Sequence, residues 1–99
     1  MARIEIATEV TDDLLDAMER LIPQLSRSNP PPDGEAVAEI VASEAAVLFL
    51  ARDETSGAII GMLTLVLFRI PTGQRAWIED VVVDEAAGGR GVGLSLIHI

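Results

Sequence analysis

Apolar and polar positions alternate along RIEIAT (residues 3–8), which predicts a strand with one buried face. Thr11 stands where a helix cap is needed, with Asp12 and Asp13 placed at the positive end of the helix dipole. Leu14, Leu15, Met18, Leu21, Ile22 and Leu25 then recur at helical spacing and form one apolar stripe. SRSNPPPDG (26–34) breaks the pattern, because three consecutive prolines cannot continue a helix. Asp33 or Gly34 opens a second helix, with Val37, Ile40 and Val41 on one face. AAVLFLAR (45–52) reads as a buried strand, DETSG (53–57) as a hairpin turn and AIIGMLTLVLFRI (58–70) as the partner strand. PTGQR (71–75) turns the chain again and AWIEDVVV (76–83) forms a fourth strand. The expected fold class is α/β in an α+β layered form. Its order is β-α-α-β-β-β plus the start of a third helix, with a mostly antiparallel sheet.

Composition narrows the function. The chain has 99 residues, 49% hydrophobic and 23% charged, and carries a net charge of −9. That is enough for one domain, spanning 1–99, and is not the composition of a disordered chain. A negative field of this size repels phosphate backbones, so no nucleic-acid partner is expected. It serves solubility, or it draws in a cationic substrate. No cysteine is present, which removes disulfides, zinc-thiolate sites and a cysteine nucleophile, and no metal site is expected. The start, MARIEIATEV, lacks the apolar core of a signal peptide. The apolar run at 58–68 is too short to span a bilayer. No membrane association and a cytoplasmic location are the default expectations.

The chemistry concentrates near the end. GGRGVG, Gly88 to Gly93, follows a strand and precedes a helical start. Glycines free the backbone for positive φ and uncover its amides, and amides at a helix N-terminus bind anions, phosphate above all. The spacing is neither a Walker A loop nor a Rossmann fingerprint. A tight turn without a ligand has the same composition.

The stretch IEDVVVDEAAGGRGVG resembles motif A of the GNAT superfamily of acetyl-CoA-dependent N-acetyltransferases. Gly91 and Gly93 match its two glycines, Arg90 and Val92 suit the positions between and before them, and the element order is similar too. The resemblance implies acetyl-CoA as co-substrate, with its pyrophosphate on the backbone of Gly88, Gly89, Arg90, Gly91, Val92 and Gly93. Gly88 stands where the family has Arg or Gln, so one side-chain contact to that loop is lost. The resemblance also implies that Val81, Val82 and Val83 line the pantetheine arm. The Val81 amide would sit against the acetyl carbonyl oxygen, where a fixed donor stabilises the oxyanion. VVV reads equally as a buried strand, and both roles are compatible because binding uses backbone.

Glu79 and Asp80 interrupt an apolar strand. Strict alternation sends them to opposite sides of the sheet. An amine substrate arrives as ammonium and must lose a proton before it attacks, and a nearby carboxylate, directly or through a water, can take it. The catalytic assignment is Glu79 as base or water holder, Asp80 as substrate-side anion and Val81 as amide donor. The alternative for the two carboxylates is a solvated edge or a salt bridge. The only histidine is His98, which rules out Ser-His chemistry elsewhere, and the absent cysteine argues against an acyl-enzyme. Direct transfer to a primary amine of a small molecule or peptide needs neither.

The resemblance further implies a fifth strand and more elements beyond this chain. An N-terminal fragment, itself inactive, is therefore expected. The closing LSLIHI matches a translated sequencing-adapter end, so residues 94–99 are expected to be non-native. The competing expectation is a non-catalytic acyl-CoA-sensing or protein-interaction module that pairs, as a homodimer for example, through an open fourth strand.

Overall fold

A computed structural model describes residues 2–87. The elements are β1 (Ala2–Ile6), α1 (Asp12–Leu25), α2 (Gly34–Ala42), β2 (Ala46–Asp53), β3 (Ile59–Ile70) and β4 (Gly73–Val83), followed by a single 3-10 turn, Glu85–Ala87. The expected β-α-α-β-β-β order is present, and the sheet is antiparallel throughout, in the order β1-β2-β3-β4.

Local chemistry starts each helix. Thr11 Oγ1 accepts the Leu14 amide at 3.2 Å and caps α1. Asp33 Oδ1 accepts the Ala36 amide at 2.8 Å and caps α2, directly after the prolines. In the β2–β3 turn, Asp53 Oδ1 accepts the amides of Thr55 at 2.8 Å and Ser56 at 3.1 Å. Gly57 then supplies the φ of +76° that closes the turn. The expected turn over 71–75 is shorter in fact. Ile70 pairs with Gly73, and Gln74 and Arg75 already belong to β4, opposite Arg69 and Phe68. Their polarity does not stop pairing, because the ladder is made of backbone groups and this end of the hairpin is exposed.

Both helices contact the sheet. Leu14, Met18 and Leu21 of α1 and Val37 of α2 are buried against Leu48, Leu50, Ile59, Met62 and Val82. Full burial of each large side chain contributes about 1.5–3 kcal/mol. A second cluster gathers Ala51, Ile60, Leu63 and Ala87.

Two register shifts decide which residues face the helices. One lies where Ala51 pairs with Gly61 but Arg52 with Ile59, leaving Ile60 as the extra residue. It lets Ile59 join the helix-side cluster while Ile60 joins the other. The second lies in β4.

Candidate functional site

In β4 the register passes from Met62–Val82 to Thr64–Glu79, so Asp80 and Val81 together face the single Leu63. This is a β-bulge, of the kind that re-aims side chains beside functional sites. Asp80 takes a φ of 49° and is the one non-glycine residue with positive φ among the described residues. Aspartate and asparagine tolerate this left-handed conformation better than other side chains do.

The bulge corrects the simple alternation. Glu79 stands opposite Thr64, and Asp80 lines the same cavity as Thr64 and Met62, so both carboxylates belong to the helix side of the sheet. Past the bulge, Val82 packs in the helix-side core, and Val81 and Val83 pack with the opposite cluster. Within the described strand order, the other side of β4 is an edge.

The cavity has a volume of about 500 Å³. Its floor is Leu48, Met62 and Thr64 of the sheet. Met18, Ile22 and Leu25 of α1 form one wall, and Ile40 of α2 and the loop residues Ser26, Asn29, Pro30 and Pro32 form the other. Asp80 is the single ionisable side chain among the described lining residues. Glu79 is outside the lining. Its Oε1 accepts the Trp77 indole N–H at 2.9 Å, and both residues are exposed.

A hydrogen-bonded clamp holds the exit of β4. Arg20 of α1 donates to Asp84 Oδ2 at 2.8 Å and to the Ile59 carbonyl at 2.9 Å. Gln24, one turn later, donates to Asp84 Oδ1 at 3.4 Å and accepts the Glu85 amide at 2.9 Å. The Ala86 amide also donates to Asp84 at 3.1 Å. That amide first, then Arg20 and Gln24, hold the Asp84 carboxyl below its ordinary pKa of 3.8 against the opposing effect of burial. The clamp ties the end of β4 and the turn after it to α1. Sequence reading missed it. The i, i+4 spacing of Arg20 and Gln24 was visible, but nothing local tied them to Asp84, 64 and 60 positions away.

At the same end of the sheet, in register with Ile59, Arg52 pairs with Glu5 and with Asp13 at 2.7 Å, and reaches the Gly57 carbonyl at 2.8 Å. These partners raise the Arg52 pKa, and the Thr11 hydroxyl and then Arg52 lower that of Asp13. The group ties β1, α1 and the β2–β3 turn together. None of its residues lines the cavity beside the bulge.

Of the residues singled out in the sequence, Glu79, Asp80, Val81, Val82 and Val83 come together around the bulge. Gly88, Gly89, Arg90, Gly91, Val92, Gly93 and residues 94–99 lie outside the described residues. Thr64, Met18 and Ile22 line the cavity, a role that helical and strand periodicity read only as core. Among the described residues no group of three or more His, Cys, Asp or Glu side chains is arranged to hold a metal ion. No described helix is long and apolar enough to cross a membrane.

Comparison with known proteins agrees with this architecture. The acetyltransferase (GNAT) family model matches residues 9–98. No curated protein matches the chain significantly. Among solved structures, the fold is similar to an aminoglycoside acetyltransferase from an uncultured soil metagenomic sample in complex with sisomicin (24% identity, 98% of this chain and 65% of that one, TM-score 0.78). It is also similar to glucosamine-6-phosphate N-acetyltransferase from Arabidopsis thaliana (23% identity, 97% and 70%, TM-score 0.75). A third is a transcriptional regulator from Bacillus halodurans C-125 (28% identity, 99% and 70%, TM-score 0.73). The chain thus spans 65–70% of the length of these three solved chains. With a family match over residues 9–98, the β-α-α-β-β-β order and a bulged fourth strand beside a cleft, the chain belongs to the GNAT acetyltransferase family.

Proposed function

We propose that the protein transfers acetyl from acetyl-CoA to a primary amine by direct attack, and that the bulge of β4 is where the transfer occurs. The observation that carries this reading is the position of Asp80, which the bulge sets into a cleft otherwise lined by uncharged side chains. An ammonium group entering that cleft meets one carboxylate, Asp80, as its anchor. Glu79, next in the strand and on the same side but outside the cavity lining, takes the proton that the amine must lose through a bridging water. The freed nitrogen bonds to the acetyl carbon to give a tetrahedral adduct, and as that adduct collapses the carbon–sulfur bond breaks and the departing thiolate takes up the second proton that the nitrogen gives up.

The described residues also suit a thioester donor. β4 offers an edge beside the second apolar cluster, and its ladder is interrupted at Asp80 and Val81. In this reading Val81 donates its amide to the carbonyl oxygen, and Val82 and Val83 present backbone to the pantetheine arm. The backbone of Gly88 to Gly93 holds the pyrophosphate. Acetyl-CoA, when bound, supplies the activated acetyl group. The 99-residue chain alone is proposed to bind it weakly and to turn over nothing, because it spans 65–70% of the length of the three solved relatives described above.

Product mass spectrometry tests the reading. The full gene product, given isotopically labelled acetyl-CoA and an amine, is expected to yield labelled N-acetyl product with no label retained on protein. Label on a protein side chain that then passes to the amine would contradict direct transfer. Turnover by the isolated 99-residue chain would contradict its proposed inactivity.

A further inference from the structure

We infer that the acceptor is a monocationic primary amine on an apolar body, seated with its ammonium at Asp80 and its body between α1 and the loop at 26–32. The inference rests on the transferase reading for its purpose but on the cavity itself for its content. A volume of about 500 Å³ lies within the range of small-molecule sites, roughly 300–1,000 Å³. Its apolar lining includes the buried Met18, Leu48 and Met62 and the partly buried Ile22 and Ile40. Such a surface rewards apolar area and penalises a polar group that arrives without a partner.

Charge decides the rest. One carboxylate, Asp80, matches one ammonium. A second ammonium on the same substrate would find no further acid among the described lining residues to pair it. Glu79 does not line the cavity and is engaged by the Trp77 indole. A phosphate or carboxylate on the substrate would face Asp80 with no basic side chain among the described lining residues to offset the repulsion. Among the polar lining groups, Asn29 Nδ2 donates to Ser26 Oγ at 3.1 Å.

The test is calorimetric titration of the full gene product, with and without saturating coenzyme A, using 2-phenylethylamine, spermidine and glucosamine 6-phosphate. The amine on the apolar body is expected to bind at least about tenfold tighter than either of the others. Asp80→Asn is expected to weaken it by about tenfold, the scale of one lost charge-assisted hydrogen bond. Asparagine tolerates the left-handed conformation, so the bulge survives the change. Leu25→Glu, at a half-exposed wall position, supplies a second carboxylate and is expected to narrow the gap between 2-phenylethylamine and spermidine. Tighter binding of spermidine, no binding of 2-phenylethylamine in either state, or an unchanged affinity in Asp80→Asn would each overturn the inference. Turnover separates the two levels. Preferential acetylation of spermidine leaves the transferase reading intact and defeats this one. Selective binding of 2-phenylethylamine with no acetylation of any amine supports the cavity assignment and defeats the transferase reading.

Discussion

Asp80 carries two demands at once, one conformational and one electrostatic. Its φ of 49° suits aspartate, asparagine or glycine, whereas most side chains pay about 1–2 kcal/mol to hold the left-handed region. Asp80→Asn is therefore expected to unfold in urea close to wild type, and Asp80→Val about 1–2 kcal/mol earlier. Equal stability of the two variants would mean that the bulge does not constrain this residue. Glu79 makes a different kind of prediction. As acceptor of the amine proton, Glu79 is expected to make Glu79→Gln lower kcat by about 10²–10⁴-fold. An unchanged rate would reduce Glu79 to a surface carboxylate held by Trp77. The sequence exposed both acids, because charges inside an apolar strand stand out. It could not place them. One added residue in the register moves Asp80 into the cleft with Thr64, and no local pattern in WIEDVVV marks where the ladder slips.

Elements were more legible than their neighbours. Caps at Thr11 and Asp33 and the turn at Asp53–Gly57 are short-range chemistry, and each appears where the residues imply. The start of β4 and the 3-10 turn at Glu85–Ala87 were not legible, because pairing across the β3–β4 hairpin and the Arg20–Gln24–Asp84 clamp are long-range effects. Leu21 of α1 is fully buried in the helix-side core, so Leu21→Ala is expected to cost about 2–5 kcal/mol in a denaturant titration. A much smaller loss would show that α1 does not carry the core. The clamp and the Arg52 group are both read through pH. Asp13 and Asp84 both have depressed folded pKa values, so below about pH 4 the unfolded chain binds more protons than the native one. Their contribution is complete above the ordinary carboxyl pKa and is lost as pH falls through the folded values. Asp84→Asn should therefore flatten the acid side of the stability curve and leave its slope near neutrality unchanged. A slope altered near pH 7 instead would assign the pH dependence to other groups.

At the scale of the whole molecule, two helices cover one face of a four-stranded antiparallel sheet and leave a cleft where α1, the proline loop and the bulge converge. The chain carries a net charge of −9, and Asp80 is the one charged side chain among the described residues that line that cleft. The family was legible from motif and element order together, since each constrains the other. The acceptor was not, because it depends on a cavity built from five separate segments of chain. The most direct measurement is the initial rate of thiol release from acetyl-CoA by the full gene product, with and without 2-phenylethylamine. The expected result is release that depends on the amine, with intersecting double-reciprocal lines, as direct transfer within one ternary complex requires. Release no faster with any primary amine than with acetyl-CoA alone would contradict the assignment of acetyl transfer to the bulge of β4.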